Sequence, residues 1–137
     1  KTERLLTLKE NMVLVEMSYF QAPINLDEIL FKLQINGYKP VLAHPERYGF
    51  FHTSDLNKYQ DLKKRGCLFQ LNTLSLTSHY GSNMQKIGLK LLQEGMIDFI
   101  GSDTHRIQHL EKISNITISL KAKKAIHNVL SNTKDRF

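Results

Sequence analysis

Four short apolar runs constrain the fold of this chain more than anything else in it: Met12-Val13-Leu14-Val15, Pro40-Val41-Leu42-Ala43, Cys67 to Leu71, and Met96 to Ile100. Each is too short to be a core helix and apolar enough to be covered on both faces, so each reads as a buried strand. Between them the spacing becomes helical. Leu26, Ile29, Leu30 and Leu33 fall at i, i+3, i+4 and i+7 behind Asn25, a candidate cap, with Asp27 and Glu28 in the first turn and Gly37 as the stop. Ser54 can cap a segment carrying Leu56, Tyr59 and Leu62 that stops at Gly66. Met84, Ile87, Gly88, Leu91 and Leu92 form a third stripe ending at Gly95, and Ala122, Ala125, Ile126, Val129 and Leu130 form a last one. Strand and helix alternating through short connections predict right-handed crossovers and an α/β fold with a parallel sheet.

In such folds the reactive groups gather at the carboxyl ends of the strands. Glu16 closes the first run, His44 the second in Ala43-His44-Pro45-Glu46-Arg47-Tyr48, and Asn72 the third. The fourth leads into Gly101-Ser102-Asp103-Thr104-His105. Neutral imidazole and ionised carboxylate are ligands for first-row divalent metals, and Arg47 beside them offers a planar fork for phosphate oxygens. Metal plus guanidinium points to phosphate hydrolysis. A lone His at a strand end is commonly structural, and Asp-x-His arises by chance; ligand types at three strand ends together favour a site. Glu46 is either an orienting carboxylate or a partner of Arg47 or a nearby Lys. His52, His79 and His127 read as surface residues, while His109, on the loop side after His105, is a candidate substrate-side group. Tyr19, Phe20, Tyr48, Phe50 and Phe51 either line a pocket for an aromatic ring or simply pack.

The length of 137 residues suits one domain or a piece of one. No apolar run approaches the roughly 18 residues that span a bilayer, and Lys1-Thr2-Glu3-Arg4 does not resemble the start of a signal peptide. The lone Cys67 cannot form an internal disulfide and reads as a small buried hydrophobe, so a reducing cytoplasm is the expected setting. The net charge of +6 is dispersed in short groups such as Lys63-Lys64-Arg65 and Lys121-Ala122-Lys123-Lys124, without interleaved aromatics. These are expected to be solvated helix faces, with no nucleic-acid surface and no membrane insertion. Gly-x-Gly-x-x-Gly and the P-loop pattern are both absent from the sequence.

Val41 to Tyr48, Gln70-Leu71-Asn72 with Ser75-Leu76, Tyr80-Gly81, and Asp98 to His105 resemble, in order and spacing, the bacterial PHP-type protein tyrosine phosphatases of capsule and exopolysaccharide operons. The resemblance runs through nearly all of the chain, with His-Pro-Glu-Arg-Tyr its specific signal. It implies a distorted (β/α)7 PHP barrel of which this chain is the carboxyl-terminal part, a single partial domain over 1–137. The implied cofactor is a cluster of divalent ions, manganese first, with iron or zinc as alternatives. Glu16, His44, Asp103 and His105 would then be metal ligands and Arg47 a phosphate-binding residue. The implied substrate is phosphotyrosine on a bacterial tyrosine autokinase, and the enzyme is expected to be a homo-oligomer.

Two departures qualify the transfer. The amino-terminal His-x-His half of the family is absent, leaving four of the expected ligands. Relatives often place a second phosphate-binding Arg several residues beyond Asp-x-His, whereas Arg106 follows His105 directly, so it is either that residue or a surface charge. A small phosphate monoester such as histidinol phosphate, a nucleic-acid end, and a truncated non-catalytic interaction module remain alternatives.

Overall fold

The computed structural model describes residues 5, 7–53, 55–102 and 120–136. Four strands, β1 (Met12–Val15), β2 (Lys39–Ala43), β3 (Leu68–Asn72) and β4 (Phe99–Gly101), pair in parallel in the order β1-β2-β3-β4. Helix α1 (Leu26–Ile35) links β1 to β2, α2 (Asn57–Lys64) links β2 to β3, and α3 (Ser82–Gln93) links β3 to β4. A last helix, α4 (Leu120–Arg136), follows. The α/β class and the parallel sheet expected from the sequence are thus present. Among the described residues no helix is long and apolar enough to cross a membrane.

The three linking helices stop in the same way. At Gly66, φ is +86°, its N–H bonds the Lys63 carbonyl at 2.9 Å, and the Cys67 N–H bonds the Leu62 carbonyl at 3.0 Å. This left-handed stop satisfies the last carbonyls of the helix and turns the chain into β3. The same bond pair recurs at Gly37 and at Gly95.

The starts are less regular. Asn25 sits at the α1 boundary without a side-chain capping bond, contrary to expectation. Ser54 lies outside the described residues; the start of α2 is held by Asp55, whose Oδ1 accepts the Asn57 N–H at 3.1 Å. The strand expected from Met96 begins only at Phe99. Met96 is still engaged by the stop of α3, its N–H bonding the Leu91 carbonyl, and the Asp98 carboxylate accepts the Phe69 N–H and pairs with Lys63.

The sheet buries both faces. Leu42, Phe69 and Leu71 join Leu26, Leu30, Tyr59, Leu62, Leu91 and Leu92 in the main core, while Met12, Val41 and Phe99 form a smaller cluster. Leu42 and Val41, adjacent in β2, fall in different clusters because successive strand side chains point to opposite faces. Helix α4 packs on α3 and β4 through Ala125, Ile126 and Val129, and Asn132 donates to the Asp98 carbonyl at 2.8 Å.

Candidate functional site

Strand β2 ends where the chain must leave the sheet sharply. His44 takes φ +34°, ψ +61°, a left-handed conformation uncommon for a residue with a side chain, and starts a 3-10 turn at Pro45–Arg47 with proline at its first position. Its N–H bonds the Gln70 carbonyl at 2.7 Å and its carbonyl accepts the Arg47 N–H at 2.9 Å. Backbone strain of this kind persists only where the surroundings enforce it.

Here they do so from three sides. Tyr59 donates to the Pro45 carbonyl at 3.3 Å, and the His52 ring Nε2 lies 2.6 Å from the Glu46 carbonyl oxygen. From the third side, Glu46 Oε1 accepts the Asn72 N–H at 3.0 Å.

Glu46 is fully buried, and burial pushes its carboxyl up to about 7. Ser75, the backbone of Glu46 and Asn72, and the Arg47 charge oppose that push. Of the two roles open to Glu46 in the sequence, an orienting carboxylate or an ion-pair partner, the geometry matches the orienting one. Its carboxylate fastens the turn after β2 to the end of β3.

Glu16 follows β1, and its Oε1 lies 3.2 Å from His44 Nε2. The Tyr19 hydroxyl completes the group, 3.3 Å from Glu16 Oε1 and 3.2 Å from His44 Nε2. The segment after β1 is pinned by Tyr48, whose hydroxyl accepts the Met17 N–H at 3.0 Å. Burial holds that phenol well above its ordinary value, so it stays protonated.

Arg47, half-buried, packs its guanidinium against two rings: Cζ is 4.6 Å from the Tyr19 centroid and 3.9 Å from that of Tyr80. Glu16 and His44, expected to gather at the strand ends with Asp103, thus meet, and Tyr19 brings Arg47 beside them. Asp103, His105, Arg106 and His109 lie outside the described residues. Among the described residues no group of three His, Cys, Asp or Glu is assembled to hold a metal. What is assembled, one imidazole nitrogen and one carboxylate oxygen at contact distance, is the donor chemistry that first-row divalent ions take, and it fits such an ion as part of a larger set.

Of the two roles open to the five aromatic residues, packing describes Tyr48, Phe50 and Phe51. Phe20 is exposed and stands apart, and Phe51 is buried against Tyr48 and Tyr59 in the core. Phe50 stacks on Tyr48 at 5.6 Å, so only Tyr19 of the five reaches the site with its hydroxyl. Tyr80, to which the sequence assigned no role, reaches it instead. Of the histidines taken as surface residues, His127 is exposed, while His52 latches the turn and His79 packs edge-on to Tyr80 at 4.6 Å. Cys67 is buried and its thiol is pushed up to about 11 by burial, so it is a poor nucleophile at neutral pH.

Comparison with known proteins places these features in a family. Residues 1–132 match the family described as capsular polysaccharide synthesis, CpsB/CapC. The chain is 33% identical over 95 residues to the CapC protein of Staphylococcus aureus, covering 69% of this chain and 37% of that protein. It is 29% identical over 106 residues to the tyrosine-protein phosphatase YwqE of Bacillus subtilis strain 168, covering 77% of this chain and 41% of that protein. The chain thus spans about four tenths of the length of these relatives. A solved structure from work on YwqE of Bacillus subtilis and CpsB of Streptococcus pneumoniae, described as metal-dependent tyrosine phosphatases, superposes with a TM-score of 0.69 at 26% identity. That match covers 94% of this chain and 57% of the other.

Proposed function

The chain belongs to the capsular polysaccharide synthesis family CpsB/CapC, and we propose that it is the carboxyl-terminal portion of a metal-dependent protein-tyrosine phosphatase. In this reading the four-stranded sheet is part of a distorted (β/α)7 PHP barrel completed by an amino-terminal half that brings His-x-His. Glu16 and His44 hold a divalent ion, manganese first, together with Asp103 and His105. Arg47, with Arg106 as a second candidate, binds the phosphate. The substrate is phosphotyrosine on a tyrosine autokinase that controls capsule or exopolysaccharide synthesis, and the enzyme works in the cytoplasm as a homo-oligomer.

The observation that carries the reading is the 3.2 Å approach of Glu16 Oε1 to His44 Nε2 with the Arg47 guanidinium on the Tyr19 ring beside them. A bound divalent ion supplies Lewis acidity, which acidifies water and draws charge from the phosphoryl oxygens. The residues of the chain do the rest. The left-handed turn at His44 aims the imidazole at Glu16, and the buried Glu46 keeps that turn in place. Arg47 offers two parallel N–H groups to a phosphoryl oxygen pair, a contact that strengthens as charge accumulates there. Cys67, buried and protonated, takes no part.

The test is hydrolysis by a family-length enzyme carrying this segment, assayed on a phosphotyrosine peptide and on histidinol phosphate, with and without chelator. Chelator-sensitive release of phosphate favouring the peptide is expected. Preference for histidinol phosphate, or turnover indifferent to chelator, would overturn the proposal.

A further inference from the structure

We propose that Tyr19 and Tyr80 are positioning residues that hold the Arg47 guanidinium so that its N–H edge faces the phosphate of an aryl phosphate monoester. The proposal rests on the reading of the site given above. An arginine at a strand end is flexible, and a phosphate-binding fork acts best when its geometry is fixed beforehand. A ring face holds a cation and orients its plane. Both rings lie well inside the roughly 6 Å range of that interaction, at 4.6 and 3.9 Å.

Each ring is itself anchored. Tyr19 bonds Glu16 and His44 through its hydroxyl and stacks on the buried Tyr48 at 5.7 Å. The Tyr80 hydroxyl accepts from Asn72 Nδ2 at 3.4 Å, and the fully buried Asn72 is fixed in turn by the Leu74 N–H, which donates to its Oδ1 at 3.0 Å. One guanidinium is thereby referenced to the ends of β1, β2 and β3. A phosphate bound there sits within one tyrosine's length of the Glu16–His44 pair, because Tyr19 touches both.

The experiment is a titration of the nitrogen-15 arginine-labelled chain with inorganic phosphate, read at the arginine Nε–Hε resonances, with circular dichroism melts of every variant. Tyr80 is the decisive position, since Tyr19 also bonds the proposed metal ligands. Wild type should bind saturably and Arg47→Ala should not. Tyr80→Leu should weaken binding by about fivefold, while Tyr80→Phe, which keeps the ring, should stay within about twofold of wild type. Wild type binding no better than Arg47→Ala would overturn the reading of the site and this proposal with it. Loss in Arg47→Ala with wild-type affinity in a folded Tyr80→Leu would overturn the positioning role alone. Should Tyr80→Leu not fold, Tyr19→Leu against Tyr19→Phe decides: weak binding by the first and near-normal binding by the second supports the clamp, and equal affinities refute it.

Discussion

Two neighbours, Glu46 and Arg47, show how far single residues could be read. The string His44 to Tyr48 marks a site in the sequence, yet which of its charged residues faces ligand and which is structural depends on where Asn72 and Tyr80 arrive, and no local pattern encodes that. The structure gives Glu46 to the scaffold, while Arg47, packed on the Tyr19 and Tyr80 rings, is the residue proposed to face the ligand. If the proposed function holds, Arg47→Lys in a family-length protein carrying this segment should lower kcat/KM by about tenfold or more with little change in melting temperature, because lysine keeps the charge but loses the fork and the flat face. Equal loss of both would make Arg47 structural. Glu46 predicts a pH effect with a defined sign. Its carboxyl rises from 4.5 to about 7 on folding, so the folded chain binds more protons across that interval. This contribution to stability is present at low pH and is lost as pH rises through about 7. Glu46→Gln keeps an acceptor for the Asn72 N–H and removes the proton. Between about pH 5 and about pH 8 the variant should lose less melting temperature than wild type, and parallel curves would refute the assignment.

Elements were legible where two signals agreed. The helices α1, α2 and α3 combine a hydrophobic stripe with a terminal glycine, and Gly37, Gly66 and Gly95 all adopt positive φ at the expected stops. Where a boundary turned on a single hydrogen bond, reading failed: Asn25 makes no side-chain capping bond, and the Met96 N–H stays with the stop of α3 while β4 starts later. At Gly66 a new Cβ would meet both a left-handed backbone and Gln34 Nε2 at 3.0 Å. Gly66→Ala should destabilise by about 1 kcal/mol or more, seen as a lower denaturation midpoint. An unchanged midpoint would mean that this stop is not needed to set α2 against β3.

At the scale of the molecule, the parallel α/β class follows from alternating periodicities, but closure into the proposed barrel does not, since strand and helix alternate in open sheets and in barrels alike. Among the described residues β1 is an edge strand with Leu14 exposed, and Phe31 and Ile35 stand exposed on α1. An uncovered edge beside apolar side chains favours association, so light scattering should find species heavier than a monomer, reduced by Leu14→Lys. Scattering from monomer alone would show that the edge is harmless. Asp103 and His105, proposed as the remaining ligands, lie outside the described residues, whereas Glu16 and His44, each following a separate strand, meet as the strand-end argument requires. The most direct test of that meeting is calorimetric titration of the metal-free chain with manganese, alongside Glu16→Gln and His44→Asn, the latter chosen because asparagine tolerates the left-handed backbone. The account predicts saturable binding by wild type, weaker in each folded variant by at least the roughly 10–100-fold that loss of a supporting partner costs. Equal manganese affinity in all three would contradict it.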